Sequence, residues 1–213
     1  MYKKQKFLVA NTAVAVSLLT ACDNGTSSGD VVATSLNDSR DGQIYNIVKI
    51  GDQVWMAENL KYEIPVAAGE EPKSFCYSNS EINCGIYGRL YTWDNAANIC
   101  PEGWHLPDTT EWNKLFDAVG GKHIAGKKLK AVSNKWLVNS GTDEFGFGAL
   151  PAGFKKTILD AYFFDLGSYG NFWTDVQSAG SHAYHVTVFY DKDSVKYIED
   201  PKDFALSVRC LKN

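Results

Sequence analysis

Five cysteines, four histidines and several neighbouring pairs of acids are the side chains of this 213-residue chain that could hold a metal, form a covalent bond or move a proton. The histidines, His105, His123, His182 and His185, are scattered. His182 and His185 stand three apart, so on a strand they face opposite ways and cannot share one ion. Ser, His and Asp are plentiful, yet no Gly-x-Ser-x-Gly elbow stands between a strand and a helix, and a hydrolytic triad has no place to form. Asp143-Glu144 and Glu199-Asp200 are adjacent acids beside loops and read as solvated turns, not as the separated carboxylates of a glycosidase. No catalytic residue is assigned.

Cys22 differs from the other cysteines. Lys3, Lys4 and Lys6 precede an uncharged run from Phe7 to Leu19, long enough for the apolar part of an export signal and short for a membrane span. Leu19-Thr20-Ala21-Cys22 resembles the lipobox of bacterial lipoproteins, which makes residues 1–22 a lipoprotein signal and Cys22 the lipidated, palmitate-bearing mature N-terminus. An ordinary secretory signal is the alternative; a retained transmembrane helix fits less well with Asn11, Thr12 and Ser17 inside the run. Residues 23–39, polar and rich in small side chains, suit a flexible tether. The expected address is the bacterial cell envelope, outside the cytoplasm, with the bilayer reached through Cys22.

Cys76, Cys84, Cys100 and Cys210 form an even set in that oxidising setting and allow three pairings. Cys76 and Cys84 bracket the polar segment Tyr77–Asn83, which needs a local staple, so the preferred pairing is Cys76–Cys84 with Cys100–Cys210. A four-cysteine zinc site lacks its usual C-x-x-C knuckles. Without residues 1–22 the chain keeps 18 basic against 25 acidic residues, a net charge of about −7. On that balance no nucleic-acid partner is expected.

Positioning falls to a chain with 45% hydrophobic and 13% aromatic residues and 18 glycines, which implies one domain over residues 40–213 built from many short strands and turns. Gln43–Ile50 and Gln53–Ala57 are β-rich runs around Gly51-Asp52, a hairpin signature. Residues 61–85 read as surface loop. Tyr91–Ile99 reads as a short helix. Asp108 and Glu111 form a capping box for a second helix whose apolar face is Trp112, Leu115, Phe116 and Val119 before Gly120-Gly121. A third helix is expected over Ala125–Val132, with Lys127, Lys128 and Lys130 as a solvated face. Strands are expected at 147–154, 161–166, 172–176, 183–190, 195–198 and 205–211, with Asp191–Ser194 as a hairpin turn. Helices early and strands late make the class α+β.

The phrases Arg40–Tyr45, Gly51–Leu60, Tyr87–Trp93, Cys100–Pro107, Gly146–Gly153 and Ser207–Cys210 occur in order from residue 40 to the end. On them the chain resembles the Fibrobacter succinogenes major paralogous domain, a family of exported bacterial proteins. That family is similar, more distantly, to the C-type-lectin-like fold of formylglycine-generating enzymes. The resemblance implies a twisted antiparallel sheet with two or three short helices, chain ends side by side, and Gly170–Asp175 where such folds have a Gly-Asn-x-Trp signature. The reactive cysteines of those enzymes are not matched here, since Cys210 stands alone near the C-terminus. The Glu-Pro-Asn or Gln-Pro-Asp tripeptide of calcium-dependent lectins is also missing, so no cofactor is assigned and calcium is not favoured.

Two functions follow from that scaffold by analogy. The leading one is a membrane-anchored binding module for a glycan or an envelope protein, with Tyr169, Asn171, Trp173 and Asp175 as candidate ligand residues. Phe172 and Tyr184 are further aromatic contacts, although all these aromatics also suit a core. The alternative is an enzyme with an unrecognised site in the same loops, acting on envelope protein or polysaccharide.

Overall fold

The computed structural model describes residues 34–138, 141–157, 162–178 and 180–213, so Cys22, the lipobox and most of the tether lie outside the described residues. The described part belongs to one unit, Val31–Asn213. It is an α+β structure of antiparallel sheets with four short helices among the described residues. No described helix is long and apolar enough to cross a membrane.

The chain opens with strands β1 (Thr34–Asn37), β2 (Ile44–Ile50) and β3 (Gln53–Met56). A strand therefore lies inside the segment expected to be tether, because Thr34–Asn37 pairs along β2. The β2–β3 hairpin forms as expected, with Ile50 opposite Gln53 and Gly51 at φ +59°, a backbone angle that glycine adopts without strain. After β4 (Ser74–Phe75) and a 3₁₀ turn (Tyr77–Asn79) comes α1 (Glu81–Tyr87), a helix inside the segment expected to be loop. β5 (Leu90–Thr92) and α2 (Trp93–Ala96) replace the single helix expected over Tyr91–Ile99.

β6 (Trp104–His105) leads into α3 (Thr109–Ala118). Asp108 accepts from the Glu111 amide at 2.8 Å, and the Glu111 carboxylate accepts from the Asp108 amide at 2.9 Å, so the capping box is complete. Trp112, Leu115 and Phe116 enter a core that holds Trp55, Phe147, Phe172, Val186 and Val188, with the Trp55 and Trp112 rings 4.8 Å apart. α4 (Lys122–Leu129) follows, a few residues earlier than expected. Lys130 was expected on its solvated face and is instead fully buried: Nζ donates to the carbonyls of Phe189 and Lys192, each at 3.1 Å.

The remaining strands are β7 (Phe154–Lys156), β8 (Tyr162–Phe164), β9 (Tyr169–Gln177), β10 (His182–Phe189), β11 (Val195–Pro201), β12 (Phe204–Leu206) and β13 (Leu211–Lys212). They complete three sheets of order β1-β2-β3-β13-β6, β11-β10-β9 and β4-β5-β12-β7-β8. The strand expected over 147–154 does not form, since Gly148 and Gly153 turn the backbone at φ +63° and +65°. The one expected over 205–211 divides into β12 and β13. Between them, Ser207–Cys210 lies against two other segments: Met56 and Leu60 amides donate to the Cys210 and Val208 carbonyls, and the Trp173 amide donates to Ser207.

Arg209 locks this junction. It is fully buried, and its guanidinium donates to Asn59 Oδ1 at 2.6 Å, to the Met56 carbonyl at 3.1 Å and to the Phe147 and Gly148 carbonyls. Burial lowers its pKa to about 9, against the pull of Asp143 and Glu58, and the group stays charged at neutral pH. Two bridges, Cys76–Cys84 and Cys100–Cys210, close loops of 8 and 110 residues.

Candidate functional site

The sheet β11-β10-β9 has two unlike faces. Along β10 the residues alternate, so Val186 and Val188 meet Phe172 of β9 in the Trp112 core, while His185, Thr187 and Phe189 face the other way. On that second face β9 supplies Tyr169 and Asn171, and β11 supplies Ile198 and Asp200. Phe154 of β7 and Asp165, just beyond β8, close the space from the neighbouring sheet. The result is a cavity of about 240 Å³.

Its floor is a chain of polar contacts. Asp200 Oδ2 lies 2.8 Å from His185 Nε2, the Thr187 hydroxyl lies 3.2 Å from His185 Nδ1, and that hydroxyl donates to Asn171 Oδ1 at 2.9 Å. A carboxylate only accepts, which places a proton on Nε2. His185, Thr187 and Asn171 are 2%, 2% and 5% exposed, so their orientation is fixed by packing. Asn171 Nδ2 donates to none of the described residues, yet it is not sealed from solvent as Trp112 Nε1 and Asp203 Oδ1 are. The side chain lines the cavity. Burial raises the pKa of Tyr169, with Asp165, Tyr190 and Asp191 adding to the shift, so its phenol is protonated at neutral pH.

The backbone around the mouth is unusual. Asp165 sits at φ +63°, a region costly for a residue with a side chain but tolerated by Asp. Gly153, at φ +65°, donates its amide to Tyr169 at 2.9 Å, and any Cβ there would strike the Phe164 carbonyl. These positions hold β7 and the β8–β9 turn against the start of β9.

The expected ligand residues are divided by the structure. Tyr169 and Asn171 line the cavity. Trp173 does not: it is wholly buried, donates through Nε1 to the Tyr91 carbonyl at 2.8 Å, and packs edge-on against its cross-strand neighbour His185, at 5.7 Å. Phe172 is also wholly buried, in the opposite core. Neither presents a ring to a ligand, because side chains of two different cores cover the two faces of β9. Asp175 is exposed further along β9, where its amide donates to Pro107, and Tyr184 is half-buried away from the cavity lining.

His185, Thr187 and Asp200 were not foreseen. Glu199-Asp200 is not a solvated turn but part of β11, opposite Tyr184 and Ala183, and the turn is Asp191–Ser194. The available signal was the alternation His185-x-Thr187, which puts both on one strand face. Among the described residues, the metal-type cluster is Cys76, Glu81 and Cys84, whose two sulfurs are joined to each other and are not free thiolates. Asp175, Asp191 and Asp193 do not gather into one.

Comparison with known proteins adds the family and nothing on activity. No curated protein and no solved structure matches the chain. One family model does, that of the Fibrobacter succinogenes major domain, over residues 48–212, from β2 to the last strand. The matched span includes the second half of the hairpin, the capping box, both bridges, the Arg209 junction and the cavity. The chain belongs to the Fibrobacter succinogenes major domain family.

Proposed function

We propose that this protein is an envelope-tethered binding module, anchored in a bilayer by lipidated Cys22, which takes a hydroxyl-bearing unit of a glycan into the cavity between β7 and the β11-β10-β9 sheet. The observation that carries the reading is Asn171, an oriented amide with an uncommitted donor beside the carboxylate of Asp200 and the aromatic wall of Phe154 and Tyr169. Amide and carboxylate hydrogen-bond sugar hydroxyls, and aromatic faces cover sugar C–H groups. The volume of about 240 Å³ is below that of drug-sized pockets and suits one sugar unit.

The test is retention of the full-length protein on immobilised glucan, xylan and polygalacturonate, with and without calcium. Retention on at least one is expected, and Asn171→Ala should abolish it while the variant still unfolds in one cooperative transition above the assay temperature. No retention on any of the three refutes the reading.

A second reading is supported by the His185–Asp200 pair, since a histidine held by a carboxylate is the arrangement of a general base. Release of new reducing ends from a retained polysaccharide, lost in His185→Gln, distinguishes it from binding alone.

A further inference from the structure

The cavity wall continues outward as a row of stacked rings. Phe154 of β7 stacks on Phe204 of β12 at 5.5 Å and 14°, and on Phe164 of β8 at 5.2 Å and 23°; Tyr162 extends the row beyond Phe164 at 6.3 Å and 29°. The row follows from the strand register. Phe154 is opposite Phe164, and Lys156, two residues on and on the same face, is opposite both Tyr162 and Phe204. Lys156 Nζ stands 5.2 Å from the Phe164 ring and 5.1 Å from the Phe204 ring.

This row is exposed where a fold gains nothing from exposing it. Tyr162 is 59% and Phe164 36% accessible, although both sit on an edge strand where apolar side chains invite unwanted pairing. The alternate residue Phe163 faces inward and packs with Phe75 and Tyr77, so β8 is anchored without its outer rings. Phe154 belongs to both the row and the cavity. The exposed surface is therefore continuous with the polar pocket.

We infer that the row Phe154, Phe164 and Tyr162 is an extended subsite, and that the ligand is a polysaccharide chain with one unit in the cavity and the next units laid along the rings. The inference rests on the cavity reading above and adds the substrate class, a polymer in place of a free sugar. Stacked at 5.2 and 6.3 Å, the rings turn their outer edges to solvent one after another, an apolar strip along which the C–H faces of successive sugar units can lie. Lys156 adds a hydrogen-bond donor beside the row for hydroxyl or carboxylate oxygens.

Calorimetric titration of the full-length protein with glucan, xylan and galacturonate oligomers of one to six units tests this. Affinity for the bound series should rise with chain length, by about three- to tenfold for each added ring contact. The double variant Tyr162→Ala, Phe164→Ala should bind the shortest ligand as the wild type does and lose the rise. Tyr162→Ser alone, at the most exposed ring, gives a smaller loss and guards against a folding defect in the double variant. Affinity independent of length, or an unchanged hexamer affinity in both variants, overturns the subsite and leaves the cavity reading intact. No binding at any length in the wild type overturns both.

Discussion

Replacing Arg209 by methionine, an apolar side chain of similar length, should destabilise the domain by about 3–5 kcal/mol, because it takes a donor from several buried acceptors at once. The basis is the set of acceptors left behind. Asn59 Oδ1 and the carbonyls of Met56, Phe147 and Gly148 all lose a donor in a region closed to water. Each orphaned acceptor costs about 1–3 kcal/mol; relief from burying the guanidinium offsets part of the sum, as does the retained apolar packing on Phe147 and Phe172. For a domain of this size the loss lowers the melting temperature by about 6–20 °C. Urea denaturation of wild type, Arg209→Met and Arg209→Lys measures it. Lysine keeps the charge but not the planar fork, so it should recover less than half of the loss. If Arg209→Met is as stable as wild type, the four hydrogen bonds contribute nothing net, and the role assigned to this junction is wrong.

Three further outcomes are expected. In the chain-entropy picture, removing Cys100–Cys210 costs about 4–5 kcal/mol and removing Cys76–Cys84 about 2–3 kcal/mol, because they close loops of 110 and 8 residues; equal losses in paired serine variants would contradict that order. Asp108→Ala should cost about 1 kcal/mol through loss of the α3 cap, recovered mostly by Asp108→Ser, as read from urea midpoints. Burial raises the pKa of Tyr45, Tyr91 and Tyr197 above the usual phenol value of 10.0, so the folded state keeps protons that the unfolded state releases. Their stabilising contribution is present below pH 10 and is lost as pH rises beyond it; Tyr45→Phe and Tyr197→Phe should flatten that alkaline decline, and an unchanged slope would count against it.

What could be read from the sequence was local. The Gly51-Asp52 turn and the Asp108/Glu111 box each act within a few residues, and both stand where the spacing puts them. Lys130 could not be read in this way, since its burial depends on two carbonyls 59 and 62 positions away. The same holds for Asp200, which looks like half of a surface acid pair until β11 is laid beside β10 and His185. Trp173 shows the opposite error. An aromatic beside Asn171 suggested a contact surface, but strand alternation put Asn171 in the cavity and the packing of a neighbouring sheet covered Trp173. The exposed ring row was missed because its members come from three strands, 154–164–204, with no common motif.

The place of the last ten residues bears on how the chain reaches its native state. β12 sits between β5 and β7, and β13 between β3 and β6, so the two five-stranded sheets are each completed from within by a strand that follows their other members in the chain. A ribosome delivers residues 34 to 200 before either gap is filled, and until then four strand edges stand open. Open edges of that kind invite pairing with a second copy. Loss of residues 204–213 would not trim a tail but would leave both sheets in halves.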